Sequence, residues 1–469
     1  MEHSLRTKIS NSETSKRVFN YGNSFSTASD IEKISKDNLE SEANNDLFKD
    51  LRGLFIFGKV IGLIPFSGVM GISSKQLSFR RKSVPSIISH IILGILLLNA
   101  IFGVIESIKA EKRNALEIAQ SVRATLYFIW GCFMQVSDNY ITFLRHGEEF
   151  LNIFYRWRST QIVYSKKDTT LRRDMLIISG AILSSAILEN GVLHLEYLNE
   201  LDSISGEKYS NKTDNLTTLE SYYWRSQSHW GNILGYNWAL AVLAFIQHKW
   251  ILYSWNYIDI LIAVFARAMY FQFKSLYKVA KTKVLVENNF QLSTTQGESL
   301  LGREAWTQIV RDHKKLCQLL ELLEDFFSPF VFGSYAINMY YICMQLLDGL
   351  TSEISSRSIV HSIYAPWSFL HLIMRTFTVS ICCARVNVYA HQIRYIFQEC
   401  PVEYYQPEVS RLDKRVTSGP DIGFSGLGCF VVTKPFMLSI LSVIFTFEIV
   451  LLQSVPSAAP STTCCCPIK

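Results

Sequence analysis

Charge is scarce in this chain. Only 18% of its 469 residues are Asp, Glu, Lys or Arg, against about 25% in an ordinary globular protein. Other things are missing too. The ten cysteines show neither zinc spacing nor the framework of a secreted disulfide domain. Most of them, including Cys132, Cys343, Cys382 and Cys383, lie in apolar runs, where buried free thiols are expected. His194, His248, His361 and His371 fall on different segments, so no metal site and no cofactor is expected. There is no G-x-x-x-x-G-K, H-E-x-x-H or G-x-S-x-G motif, which argues against an enzyme. No internal repeat is found, which weakens a transporter reading. No basic face interleaves with aromatics, so nucleic acid is not an expected partner. The first 47 residues hold no apolar core that a signal peptidase could use; they are polar and read as a disordered cytoplasmic arm, residues 1–47.

What the chain has in abundance is apolar runs: 49% of it is hydrophobic and 13% aromatic. A spanning helix needs roughly 20 largely apolar residues. Seven segments qualify: about 84–107, 117–144, 174–197, 250–273, 325–347, 360–384 and 435–454. A weaker run, 51–71, carries Gly53, Gly58, Gly62, Gly68, Gly71, Pro65 and a central Lys59, and reads as a re-entrant or interfacial hairpin. The expected fold is therefore an all-α, multi-pass membrane protein with seven spanning helices and a preceding re-entrant segment.

Lysine and arginine fix the direction. With the N-terminus inside, the inward stretches 1–50, 145–173, 274–315 and 385–434 hold 28 of them, and the outward stretches 108–116, 196–249, 346–359 and 455–469 hold 9. The two glycosylation sequons, at Asn211 and Asn215, both fall in the outward loop 196–232. Helical periodicity also outruns the bilayer. From Arg303 to Leu347 apolar residues recur at helical spacing through Trp306, Ile309, Val310, Leu316, Leu319, Leu320 and Leu323. At 1.5 Å per residue that stretch is on the order of 65 Å long, about twice the hydrocarbon thickness. The inner ends should bundle below the membrane. The expected organisation is thus: 48–273, four spans with the re-entrant segment and glycosylated loop; 274–324, a cytoplasmic helical extension; 325–384, the fifth and sixth spans; 385–434, a cytoplasmic anchor segment; 435–454, the last span; 455–469, an outer tail. The tail ends Cys464-Cys465-Cys466-Pro467-Ile468-Lys469, which fits a prenylation box poorly and reads as an ordinary exposed tail.

The last span contains Thr446, Phe447, Glu448, four apolar residues and Gln453. This resembles the signature that closes insect gustatory receptors, and the Glu after the aromatic resembles the sugar-receptor subgroup. Three other stretches agree: Phe57-Gly58 with Leu63-Ile64-Pro65; Trp255-Asn256-Tyr257-Ile258-Asp259; and Gly423 to Phe430 before the final span. The likeness runs from about residue 50 to 455. Phe447 stands where the family usually has Tyr, and Ser454 where it usually has Phe. The resemblance implies a plasma-membrane receptor that is a tetrameric, ligand-gated, non-selective cation channel, its final helices lining a central pore and each subunit holding a ligand pocket among the outer halves of its other helices. A G-protein-coupled receptor also has seven spans, but with the opposite orientation, and neither Asp-Arg-Tyr after the third span nor Asn-Pro-x-x-Tyr in the seventh is present.

A sugar presents many hydroxyls and a few apolar C–H faces. Its site needs convergent hydrogen-bonding groups and an aromatic platform. The outer halves of the spans offer Glu106; Glu189, Asn190 and His194; Asn338, Tyr341 and Gln345; and Tyr364, Trp367 and His371. Asp259 sits mid-span, where a structural bond between helices and ligand contact are equally open. In the last span, Thr446, Ile449 and Gln453 share one helical face, and are the expected pore-lining residues. The expected partners are a sugar ligand, permeating cations, membrane lipid and three further subunits, identical or related.

Overall fold

The computed structural model describes residues 46–109, 136–160, 168–205, 218–290, 299–351, 359–400, 402 and 405–454. Most of the N-terminal arm, most of the second expected span, Cys132, Asn211, Asn215 and the tail 455–469 lie outside the described residues, as does the side chain of Glu448.

The described chain is almost wholly helical. Helix α1 (Leu47–Val60) leads through a two-stranded hairpin, β1 (Phe66–Ser67) and β2 (Ser78–Phe79), into α2 (Val84–Lys109). There follow α3 (Asp138–Arg145), α4 (Gly147–Ser159), α5 (Leu171–Ser205), α6 (Thr218–Ser226), α7 (Ser228–Leu234) and the long α8 (Trp238–Phe290), α9 (Ser299–Thr351) and α10 (Ile359–Gln398). Helix α11 (Pro407–Ser418), the hairpin β3 (Ser425–Gly426) and β4 (Phe430–Val431), and α12 (Lys434–Ser454) close the order.

Among the described residues, four helices are long and apolar enough to cross a membrane: α2, most of α5, most of α8, and α10. Helix α12 adds a shorter apolar stretch, Lys434–Phe447. The fifth expected span lies inside α9, whose 53 residues run unbroken through Pro329.

The run 51–71 folds as a short helix and a turn. Fourteen residues of α1 make about 21 Å of helix, short of the roughly 30 Å hydrocarbon core. Asp46 caps it, accepting from the Phe48 amide at 3.2 Å, and also accepts from Ser73 Oγ at 2.7 Å and the Ser74 amide at 2.9 Å. The exit turns at Gly62, whose φ of 69° favours glycine. A Cβ at Gly58 would sit 2.6 Å from both Ile64 Cγ1 and Tyr257 Oη, so only glycine lets α1 seat against α8.

Helix α8 is the axis of the fold. Every residue from Asn256 to Ala266 is buried, the mark of a helix surrounded on all sides. Helices α5, α9 and α10 pack around it. An aromatic cluster locks α3 and α4 to α9: Phe150 lies 4.6 Å from Phe326, and Phe143 stacks on Phe330 at 5.6 Å. Such pairs contribute about 0.5–1.5 kcal/mol each beyond their buried area. A second core joins the far ends of α8, α9 and α10 to α11 through Ala280, Trp306, Ile309, Ile396, Phe397 and Leu412. Of the stripe read from sequence, Trp306, Ile309, Leu316, Leu319, Leu320 and Leu323 are buried.

Candidate ligand site

Three polar tiers stack between α5, α8, α9 and α10, at the end of the bundle away from α11. The deepest is an ion pair. Arg375 Nε lies 2.7 Å from Asp259 Oδ2, and both side chains are essentially sealed. Asp259 also accepts from Ser334 Oγ at 2.5 Å and from Asn338 Nδ2 at 3.5 Å, while Arg375 Nη2 donates to Asn338 Oδ1. A charge buried in this setting persists only when paired and hydrogen-bonded, and this pair is both. Asp259 is thus a structural partner between helices.

The middle tier is carried by Asn256 and His371. Asn256 Oδ1 accepts from Arg375 Nη1 at 3.2 Å and from His371 Nε2 at 3.1 Å. A carboxamide oxygen can only accept, so Nε2 of His371 carries the proton. Nδ1 then accepts from Ser185 Oγ at 3.0 Å.

Above these tiers lies a cavity of about 160 Å³, lined among others by Glu189, Asn190, Tyr341, Gln345, Tyr364 and His371. Six of the ten residues expected from sequence therefore share one chamber. A relay crosses its wall: Gln345 Nε2 donates to Ser368 Oγ at 2.8 Å, and Ser368 Oγ donates to Glu189 Oε1 at 2.7 Å. The aromatic wall is Trp255 against Tyr341, ring centroids 4.9 Å apart. The Arg375 guanidinium lies over the Trp255 ring, 4.3 Å from its centroid, which fixes the indole from behind. Two buried polar atoms on this wall, Trp255 Nε1 and Gln345 Oε1, have no partner among the described residues.

The other four expected residues sit elsewhere. Asn338 lies beneath the chamber, in the ion-pair tier. His194 accepts from Lys249 through Nε2, and its Nδ1 lies 2.5 Å from Tyr222 OH. Glu106 binds α7, accepting from Asn232 Nδ2 at 2.6 Å and Ser228 Oγ at 3.3 Å. Trp367 donates from Nε1 to the Ser185 carbonyl at 3.3 Å, on the seam of α5 and α10. Neighbouring helix residues point about 100° apart, so Ser368 faces the chamber where Trp367 does not. Sequence reading assigned none of Ser368, Asn256, Trp255 and Arg375 to the ligand site. An arginine mid-span is itself a signal, because an intramembrane charge is costly.

Outside the spans, α7 closes over α2. His229 Nε2 and Trp230 Nε1 both donate to Asn99 Oδ1 at 2.8 Å, and burial holds the His229 imidazole down to about 4. Burial likewise pushes the Tyr222 phenol up to about 12. Tyr222 also helps line a second cavity, of about 290 Å³, with Phe245 and His248.

At the opposite end of the bundle the last helix is anchored. The Leu427 amide donates to Ser328 Oγ at 2.6 Å, across the hairpin that precedes α12. Phe430 and Phe436 stack at 4.5 Å, and Tyr335 meets both edge-on at 5.6 and 5.4 Å. Along α12 the side chains of Thr446, Ile449 and Gln453 are exposed. Among the described residues no cluster of His, Cys, Asp and Glu could hold a metal ion.

This arrangement of long helices is shared with a solved insect olfactory receptor. The olfactory receptor OR5 of Machilis hrabei superposes with a TM-score of 0.60, at 13% identity, covering 86% of this chain and 97% of that one. The same receptor in complex with eugenol superposes with a TM-score of 0.61. Within that fold, the chain belongs to the trehalose receptor family, which it matches over residues 25–465. Its relatives in Drosophila melanogaster include the gustatory receptor for sugar taste 64f, 22% identical over 439 residues, covering 92% of this chain and 86% of that one. Gustatory receptor 5a for trehalose is 25% identical over 235 residues, about half of each chain. It is a family of gustatory receptors, not of enzymes.

Proposed function

We propose that this chain is a plasma-membrane gustatory receptor: a sugar-gated, non-selective cation channel with seven spans, the N-terminus inside and the C-terminus outside, working as a tetramer of itself or with related subunits. The observation that carries the ligand class is the chamber wall. An aromatic pair offers a flat face to sugar C–H groups. Beside it, one buried donor, Trp255 Nε1, and one buried acceptor, Gln345 Oε1, stand without partners among the described residues. Buried polar groups are normally satisfied, and a hydroxyl both donates and accepts, so one sugar can answer both. An engineered cavity of about 150 Å³ holds one benzene. A chamber of about 160 Å³ therefore takes one six-membered ring, and a disaccharide keeps its second ring toward the mouth. The relatives named for sugar taste and for trehalose support the class.

Glu189, Asn190, Tyr341, Gln345, Tyr364 and His371 are the contacts we assign first, with Trp255 as the platform in place of Trp367. Glu106, His194 and Asn338 act through the shell around them. Gating then runs along α9. Tyr341 and Gln345 face the chamber; about two to three turns before them Ser334 holds Asp259; and the adjacent Tyr335 bears on the hairpin and base of α12. Thr446, Ile449 and Gln453 line the pore, and Asn211 and Asn215 carry glycans. Expression of the chain alone, with currents recorded against a panel of mono- and disaccharides, tests this reading. A sugar-evoked current that needs no G protein is expected. No current to any sugar, alone or with related subunits, removes it.

A further inference from the structure

A third cavity lies toward the other end of α8, and its chemistry is different. It encloses about 840 Å³ between α5, α8 and α10, and its charged lining residues are Arg173, Asp174, Arg267, Lys274, Lys278 and Arg385. The roles of these side chains divide sharply. Arg267 is consumed by structure: Nη1 donates to Asp168 at 3.0 Å, Nη2 to Asp174 at 2.7 Å and to Thr170 Oγ1 at 2.9 Å. It ties α8 to the start of α5. Arg173 reaches the other oxygen of Asp174 at 3.2 Å. Both carboxylates near the chamber are thereby neutralised.

Lys274, Lys278 and Arg385 remain. Lys274 donates to a neutral group, Tyr270 OH, at 2.6 Å. Arg385 lies 5.8 Å from the Tyr270 ring centroid. Among the described residues, none of the three meets a carboxylate. Three uncompensated cations thus converge on a large, partly aromatic chamber. That is a donor set for a group with several negative oxygens.

Position selects the source. Along α8, Lys274 lies about 28 Å from Trp255 at 1.5 Å per residue, close to a hydrocarbon thickness. On the orientation given under Proposed function, on which this step rests, the chamber sits at the cytoplasmic boundary. Basic pockets between spanning helices on that side suit phosphorylated lipid headgroups. The geometry points to a binding site for a polyphosphoinositide of the inner leaflet. Its phosphates meet Lys274, Lys278 and Arg385, and its acyl chains leave between α5, α8 and α10.

The full chain, reconstituted in phosphatidylcholine nanodiscs, is to be titrated with a fluorescent phosphatidylinositol bisphosphate. Saturable binding is expected, with a loss of about five-fold for each cation removed, so that Lys278→Gln with Arg385→Gln costs about 25-fold. Both side chains are exposed, and unchanged thermal melting of that variant shows it folded; Lys278→Gln alone repeats the test where it is not. Binding by the variant at wild-type strength overturns the site. Displacement by soluble inositol trisphosphate as effective as by the lipid overturns the lipid source and leaves a free phosphate. In excised patches the short-chain lipid should change sugar-evoked currents only from the inner face. An effect from the outer face alone overturns the orientation while the binding arm stands. Absence of any sugar current tells against the proposed function, and the nanodisc titration still decides the site.

Discussion

At the scale of single residues, the chamber makes a sharp distinction between Trp255 and Trp367. Truncating Trp255 to Ala removes the aromatic wall and one unpartnered donor. The half-maximal sugar concentration should rise about ten-fold, roughly 1.4 kcal/mol, while surface labelling stays unchanged. A dose–response curve indistinguishable from wild type would remove Trp255 from the chamber. Trp367→Ala should have the smaller effect, since its indole is spent on the Ser185 carbonyl. The ion pair gives the opposite signature. Asp259→Ala strands the Arg375 charge, at about 3–5 kcal/mol, and should abolish surface expression. Removing both charges, Asp259→Ala with Arg375→Met, should restore part of it; a double variant no better than the single would show that the pair has another role. Glu189, Asn190, Tyr341, Gln345, Tyr364 and His371 were legible in sequence because polar groups are rare in apolar runs and the spans alternate in direction. Trp255 was quoted as a motif residue but not as a wall, because which face of α8 meets α9 is set by packing. The 100° step from Trp367 to Ser368 was lost for the same reason: packing decides which face of α10 meets α5 and α8.

At the scale of elements, the ends of α9 and α10 that pack on α11 are joined by a polar tie in an apolar core. His313 Nε2 donates to the Ala390 carbonyl at 2.9 Å, and the Cys317 thiol lies 3.6 Å from Nδ1. Burial holds the His313 imidazole down to about 4 and pushes the Cys317 thiol up to about 12. In the unfolded chain a histidine titrates near 6.5, so between pH 6.5 and 4 the unfolded state takes up protons that the folded state refuses. Stability from this group is whole above pH 6.5 and falls as pH drops through that window, by on the order of 1 kcal/mol at pH 5.5. Thermal melting of the purified protein should show this loss, and His313→Gln should melt with a shallower dependence on pH. Identical slopes would clear His313 of the effect. The tie itself could not be seen in sequence, where periodicity marked Trp306, Ile309 and Leu316 as a buried stripe and passed over the histidine among them. The short hairpin β3–β4 was equally hidden: two-residue strands carry no period, and only the resemblance marked Gly423 to Phe430.

At the scale of the whole molecule, the question is what α12 faces. Leu438, Val443, Phe445, Ile449 and Val450 are all exposed, and so are Thr446 and Gln453. An isolated chain thus leaves its last helix covered on little more than its base, where Tyr335, Phe430 and Phe436 clasp it. Lipid can cover the apolar side chains, but a helix in lipid has no use for Thr446 and Gln453, each of which costs free energy in hydrocarbon. Thr446 meets its own cost by donating to the Ser442 carbonyl at 2.8 Å; Gln453 is exposed, with a carboxamide that both donates and accepts. In the proposed tetramer, four copies about an axis would resolve this. Ile449 and Gln453, four residues apart, share a face and would form rings: one that excludes water when closed, and one whose carboxamides meet passing cations. Phe445 and Val450 would then turn toward neighbouring subunits or lipid. Cysteine placed at these positions reads the geometry directly. Thiol reagents added from outside should change the current of Gln453→Cys in any state, and that of Ile449→Cys mainly while sugar holds the channel open. A variant pair that conducts normally and never reacts places the pore on another helix, and α12 would then be a lipid-facing anchor with its polar groups bonded to adjacent spans.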